Sequence, residues 1–457
     1  MSKVLHQLRT SWSSSKAFRV ILVISVIYTV LRLAGHGAYL VTMLSPGQGT
    51  GGELPEWVGA EGPMIPADLQ IYLNAAKHFQ LRQDLYLKGS LARLEDHYPY
   101  APSFALAFIP FLWLPLSAVV VVHTLLHVAA YALLYVWWGR IFRRLGLDRA
   151  NEMLAWTLPV WLVFSAFWGD LGYLNIYIII TLMGTLFIDA VLDERLGWSL
   201  LWLSIILQIK PHWAFAAAVP LLLGRHRFFF RLVVLTVVAY AAIVGVTMLV
   251  AGVPYAWQQH IDYVQFLARL SRDFPWRGPN ENFLGYNHSI VQIVVYLLGV
   301  TPGTMRLAMG VKVLLLLPLA VVALRHLFRP ARRPGRDVPQ LSLDVAFVLY
   351  LGAFIWLDMV WEVSLGIAVF TYLLATLERR NTRILVWAVF LPYALVDLWQ
   401  LASFAVFGFD VIAPGPYILT DPSIYVPLVM IVILTFYALL LKRLWVAVPV
   451  RQTVEVE

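Results

Sequence analysis

An all-α, polytopic integral membrane protein is the fold class this sequence predicts, on three observations. Of the 457 residues, 60% are hydrophobic and only 13% charged, and the mean hydropathy of +0.75 lies outside the range of ordinary soluble domains. The 18 Trp, 21 Tyr and 25 Phe supply the amphipathic rings that settle at headgroup depth. The formal charge of +8 falls in Lys/Arg clusters between apolar runs, the positive-inside pattern. That placement points to a multi-pass protein of the cell (plasma) membrane, in contact with membrane lipids, and away from a nucleic-acid partner. With 0 Cys, disulfides, Cys-ligated zinc and thiol nucleophiles are excluded.

The first element is an apolar run from Val20 to Leu44, preceded by Lys3, Arg9, Lys16 and Arg19. It exceeds the roughly 7–15 residues of a signal-peptide core, so it reads as a retained span with a cytoplasmic N-terminus. The later basic stretches, Arg140–Arg149, Arg225–Arg231, Arg325–Arg336, Arg379–Arg383 and Lys442–Arg443, are also assigned to the cytoplasm. Parity then constrains what lies between them. Residues 104–115, with Pro110 and Pro115, read as a partial insertion before a span at 119–138. Residues 152–168 and 172–191 form a hairpin with an outward tip at 168–173. The runs 198–207 and 213–223 are each too short to span, and the polar break Gln208-Ile209-Lys210-Pro211-His212 separates them.

A span near 232–252 leads to an outer loop at 253–285, followed by a short re-entrant run at 290–300 and a span at 304–324. Spans at 341–357 and 360–377 meet at a tip holding Asp358 and Glu362, which are i, i+4 neighbours if helical; paired carboxylates could bind a divalent cation, but with no third ligand we expect no metal. Spans at 384–407 and 423–441 enclose a last outer loop with Asp410 and Asp421. We therefore expect a single membrane domain, 1–457, of about eleven to thirteen transmembrane or re-entrant helices. Its first extracytoplasmic loop is 45–100, with short amphipathic helices; a second large one is 253–289, and a basic cytoplasmic loop is 325–340. Asp68, Asp84, Asp170, Glu281, Asp358, Glu362, Asp410 and Asp421 all map to the outer face, so chemistry is expected there.

Asp68 follows Pro66 by two residues and sits in the first turn of a helix that places Tyr72, Ala75, Ala76 and Phe79 on its face. A solvated helix cap is one reading; a functional carboxylate in a long loop is the other. Tyr98-Pro99-Tyr100-Ala101-Pro102 is a stiff lead-in to a helix or a substrate contact. Lys210 would cost ~2.5–3.5 kcal/mol unpaired near a helix centre, so it either serves a function or snorkels to the headgroups. His212 and His288 are polar residues that could be satisfied structurally or act in a site.

Taken in order, Asp68-x3-Tyr72-x2-Ala75-Ala76, Asp84-Leu85-Tyr86 and Tyr98-Pro99-Tyr100-Ala101-Pro102 resemble the first outer loop of membrane glycosyltransferases with the GT-C fold. The resemblance is greatest to glycosyltransferase family 87, which includes actinobacterial polyprenyl-phosphomannose-dependent mannosyltransferases. Gly172-Tyr173-Leu174-Asn175 resembles that family's Gly-Gln-Val-Asn segment, Ile209-Lys210-Pro211 its Lys-Pro break and Asn287-His288-Ser289 its Asn-Gln-Ser motif. The resemblance covers roughly residues 20–370 and implies inverting transfer of a sugar, most simply mannose, from a polyprenyl monophosphate to a lipid or glycan acceptor hydroxyl outside.

It further implies Asp68 as general base. Substrate or donor-phosphate contacts fall on Lys210, His212, Tyr72, Tyr98, Tyr100, Asn175, Asn287, His288 and Glu362. No cofactor is implied; the lipid-linked sugar is a substrate. One departure matters: Trp361-Glu362 is followed by Val363-Ser364 where the mannosyltransferases carry His-His. A base role therefore does not transfer to that position: either Asp68 works alone or with His97 or His288, or the substrate differs from the mannosyltransferases'. The alternative is a transporter or lipid flippase in which Lys210, Asp170 and the broken helices line a pathway, but the long carboxylate-bearing first loop has no use in one.

Overall fold

The computed structural model describes residues 2–44, 66–87, 98–279, 287–328, 339–407 and 427–446. His97, Glu281, Asp410 and Asp421, much of the loop 45–100 and residues 329–338 of the basic loop lie outside them. The described residues are mostly helical and contain no strand. Six helices are long and apolar enough to cross a membrane: Lys16–Leu44, Leu116–Arg144, His226–Ala251, Pro302–Leu327, Pro339–Trp356 and Leu428–Val446. Two bent pairs, Asp148–Trp156 with Leu158–Tyr173 (51°) and Arg380–Ala394 with Val396–Ala402 (52°), add up to two more spans. Shorter apolar helices include Tyr177–Leu192 and Gly366–Thr376, which are mostly buried, and Leu196–Ile209, which buries one side.

Burial sorts these helices by composition. Gly366–Thr376 is apolar around its whole circumference and nearly every residue in it is buried. A helix of that kind must sit inside a bundle or in lipid. The lipid-facing helices instead expose apolar side chains, Leu249 at 85% and Leu314 at 69%. Two charges that enter this setting are directly paired. Arg32 of the first membrane-length helix makes a bidentate contact with Asp397, both nitrogens at 2.8 Å, with the Tyr28 hydroxyl on the same carboxylate. Lys312, fully buried in Pro302–Phe328, pairs with Asp358 and donates to Trp356 O at 2.8 Å.

The two ends of the bundle differ in charge. At one end Arg144 meets Asp189 at 2.9 Å, with Asp193 and Arg195 in the same network. Arg225 donates to Leu192 O at 2.8 Å, and Arg443 meets Asp344 at 3.0 Å. The helix Leu116–Arg144 runs from this end to the other, where Phe108 and Phe111, on the short helices ahead of it, pack beside Tyr72 and His123. The basic clusters and the Asp68 helix thus occupy opposite ends of one structure.

Three local expectations change. The hairpin tip is not the exposed turn 168–173: Ser165–Tyr173 is a helix with Trp168 and Asp170 buried, and the chain turns at 174–176 instead. The loop 253–285 contains a 21-residue helix, Val253–Asp273. Residues 357–365 are not helical, so Asp358 and Glu362 do not share a helical face, and the following helix starts only at Gly366. The cause is Asn287, whose side chain takes up the backbone of that segment: Nδ2 donates to Asp358 O at 2.8 Å and Oδ1 accepts from Val360 N–H at 3.0 Å.

Trp213 is fully buried against the middle of Tyr177–Leu192, and glycine is what lets it in. A Cβ at Gly184 would lie 2.6 Å from Trp213 Cε3. Gly184→Ala is expected to destabilise the bundle by about 1–3 kcal/mol, the usual cost of overpacking. A thermal shift of the purified protein in detergent checks it; an unchanged midpoint would show that the indole has room to move.

Candidate functional site

The site is assembled from helix ends and breaks. Pro66 sets the start of the helix Ala67–Gln80 but offers no side-chain cap. Asp68 therefore lies in the first turn, where the unsatisfied N–H groups favour negative charge. The face that follows, Tyr72, Ala75, Ala76 and Phe79, is buried against the short helix Pro102–Phe108, as the spacing predicts.

Tyr72 is the hub. Its hydroxyl donates to Asn175 Oδ1 at 3.1 Å and lies 3.2 Å from the Tyr100 hydroxyl. Asn175 Oδ1 also accepts from Ile176 N–H at 2.6 Å. With the oxygen so committed, the Asn175 amide nitrogen is the group left to hydrogen-bond the Asp68 carboxylate. Burial pushes the Asp68 carboxyl up to about 6, against the opposing influence of Lys210, the Asn175 hydrogen bond and His127.

Asn175 is itself held from behind. The preceding helix ends at Leu174, fully buried in the left-handed region at φ 49°, an uncommon state for a residue with a branched side chain. Asn175 N–H then returns to Asp170 O at 3.0 Å. The Asp170 carboxylate caps the next helix, accepting from Tyr177 N–H at 3.0 Å and Ile178 N–H at 2.9 Å. His127 Nε2 contacts Asn175 O and lies 3.4 Å from Asp170, while Nδ1 lies 2.7 Å from His123 O.

Lys210 stands at the break. The helix Leu196–Ile209 stops there because Pro211 cannot continue it. Its ammonium lies over Tyr177 at 3.8 Å and Tyr100 at 5.2 Å from the ring centroids. Among the described residues it makes no ion pair, although Asp68, Asp170 and Glu362 act on it from further away. Glu362 faces Gly169, where a Cβ would come within 3.1 Å of Oε1; its Oε2 is buried and has no hydrogen-bond partner among the described residues. Beside the break, Ser103 Oγ donates to Gln208 Oε1 at 2.5 Å, and Ser103 also lines an apolar lateral cleft of about 390 Å³ with Leu106, Ala107, Ala242, Ile243 and Val246.

Of the residues singled out from the sequence, Asp68, Tyr72, Tyr100, Asn175, Lys210 and Glu362 come together. Tyr98 packs against Tyr100, with ring centroids 5.5 Å apart, and His212 lies two positions after Lys210 in the same break. The Tyr98 hydroxyl is spent on Ala101 O at 2.9 Å, His212 packs edge-on to Phe354, and Asn287 secures the 358–360 backbone with His288 N–H donating to Val360 O at 2.6 Å. His127, Asp170 and Tyr177 complete the cluster and were not among the site residues. Among the described residues no three His, Asp or Glu side chains converge as metal ligands would.

Tyr72→Phe removes the hydroxyl that joins Asn175, Tyr100 and Ile176 N–H. Each polar group left unpaired in a buried setting costs about 1–3 kcal/mol. The variant is expected to fold with a lower thermal midpoint and to lose ligand affinity or turnover more than Tyr98→Phe, whose hydroxyl reaches only backbone; equal effects of the two would remove the hub.

The sequence pattern of glycosyltransferase family 87 matches residues 98–350, more than half of the chain. That stretch holds Tyr100, Asn175, Lys210 and Asn287; Asp68 and Glu362 lie outside it. None of the curated proteins and none of the solved structures compared with the chain matches it. The ordered cluster on broken apolar helices and the extent of the match agree, and the chain belongs to glycosyltransferase family 87.

Proposed function

We propose that this glycosyltransferase moves a sugar, most simply mannose, from a polyprenyl-phosphate donor to a lipid or glycan acceptor hydroxyl on the extracytoplasmic side of the plasma membrane. One observation carries the reading: Asp68 and Lys210, a carboxylate and an ammonium without an ion pair among the described residues, share a site at the end of the bundle opposite the arginine clusters. By the positive-inside pattern the arginine end, with the N-terminus, is cytoplasmic. Nucleotide sugars are made on that side, which leaves lipid-linked donors for the Asp68 side.

The chemistry follows from the two charges. As the acceptor oxygen attacks the anomeric carbon, its proton passes to Asp68 and the bond from that carbon to the phosphate oxygen breaks. The pair of electrons leaves with polyprenyl phosphate. A hydroxyl is a poor nucleophile, so proton removal in the transition state contributes ~10²- to 10⁴-fold. Phosphate leaves without a general acid, and the charge it gains is met by Lys210. Asn175 orients Asp68, Tyr72, itself met by Tyr100, holds Asn175, and Glu362 lies where it can accept from a sugar hydroxyl. The apolar cleft beside Ser103 suits the isoprenoid chain.

Asp68→Asn is expected to lower kcat by ~10²- to 10⁴-fold with little change in KM. Lys210→Gln is expected to cost ~10²- to 10³-fold and to weaken donor binding. The base must be ionised, and burial raises its carboxyl to about 6, so kcat/KM of the wild type should fall about tenfold per pH unit below that value. A carboxyl in its ordinary range would place the limb near pH 4. The measurement is transfer from a radiolabelled polyprenyl phosphosugar to extracted lipid acceptor by the purified protein. Undiminished transfer by Asp68→Asn would remove Asp68 as base, and movement of the lipid between leaflets with no glycosidic bond formed would overturn the reaction itself.

A further inference from the structure

The helix Val253–Asp273 follows the membrane-length helix His226–Ala251 directly, through Gly252 at φ 91°. Its surface carries three stripes rather than the two of an ordinary amphipathic helix. The first is buried against protein: Ala256, Gln259, His260 and Tyr263. This stripe docks on the chain just after the Asp68 helix. Leu85 N–H donates to Gln259 Oε1 at 2.9 Å, the Tyr255 hydroxyl donates to Gln83 O at 2.6 Å, and Tyr86 packs on Tyr263 with centroids 5.8 Å apart.

The second stripe is exposed and apolar: Val253, Trp257, Val264 and Leu267, with Trp257 at 54% and Val264 at 64%. The third is polar and pairs along itself, Gln258 with Asp262 at 3.0 Å and Arg269 with Gln265 at 2.7 Å. At 3.6 residues per turn the apolar stripe falls between the buried one and the polar one. Protein, hydrocarbon and water are the surroundings that three such stripes satisfy, and they meet at the membrane surface. The apolar stripe also continues the lipid-facing side of the helix before it, where Val246, Leu249 and Val250 are exposed.

We propose that Val253–Asp273 lies flat in the membrane–water interface, with the Val253–Trp257–Val264–Leu267 stripe against lipid and the Gln258–Asp262–Gln265–Arg269 stripe in water. Because the same helix is bonded to residues 83–86, the interface passes at the level of the Asp68 helix. The site therefore meets its lipid substrates at headgroup depth. This placement does not depend on glycosyl transfer, and its test reads position alone.

The chain has 0 Cys, so single cysteines report cleanly. Nitroxide labels on Trp257→Cys, Val264→Cys, Gln258→Cys and Gln265→Cys, in liposomes of phosphatidylcholine and phosphatidylglycerol, are read by power saturation with oxygen and a nickel chelate. The oxygen-to-nickel accessibility ratio is expected to be several-fold higher at 257 and 264 than at 258 and 265. Labels at 257 and 264 should also share one depth, shallower than Leu249→Cys, whereas an upright helix would separate 257 from 264 by about 10 Å. Equal ratios on the two stripes, or a depth that changes along the helix, would overturn the proposal. So would shielding of 257 and 264 from both reagents, the signature of a covering segment or a second copy.

Discussion

A charge inside an apolar bundle demands compensation from the protein around it, because hydrocarbon supplies none. The described part of this protein meets that constraint in two ways. Arg32 and Lys312 are matched directly, by Asp397 and Asp358. Lys210 is matched only at a distance, by Asp68, Asp170 and Glu362, while aromatic rings face its ammonium. A cation–π contact is worth about 2 kcal/mol when desolvated, too little to replace a counter-ion. The first two cations bind helix to helix, whereas the third keeps its electrostatic demand open, which is why the proposed function assigns it to substrate and the other two to structure.

The carboxylate opposite is poised by the same balance. The Asp68 helix begins without a side-chain cap, so its first-turn N–H groups and Asn175 stabilise the ionised form, as do Lys210 and His127. Burial works the other way and prevails, leaving the carboxyl near 6. A group in that range is ionised at neutral pH yet holds its proton more firmly than an ordinary aspartate, which is the property the proposed base role calls for.

Much of this was legible in the sequence because it rests on composition and on prolines. Run length and basic clusters give the bundle; Pro66, Pro102 and Pro211 mark where helices start or stop; spacing from Asp68 gives the buried face with Tyr72. Other parts were hidden because they depend on which segments meet. Nothing local marks Asn287 as the residue that keeps 357–365 out of a helix, since its partners Asp358 and Val360 are some seventy positions away. His127 looks like any polar residue on an apolar helix until Asn175 and Asp170 are brought to it. Arg32, in the middle of the first span, is the signal that could have been used: an unexplained cation there demands a carboxylate, and Asp397 is the one it finds.

Those long-range contacts explain why the site tolerates a strained turn. Leu174 sits in the left-handed region, at a cost of about 1–3 kcal/mol, although Gly172 stands only two positions earlier. Moving the turn back to Gly172 would relieve that strain but would carry Asn175 out of register. In its observed place Asn175 spends its carbonyl on His127 and its side chain on Asp68, Tyr72 and the next backbone N–H. Asp170 accepts the N–H of Asn175 on its carbonyl and caps the helix beyond with its carboxylate. The strain is outweighed by a set of bonds that exists only if the chain turns at 174, and those bonds join the outer helix carrying Asp68 to the core of the bundle.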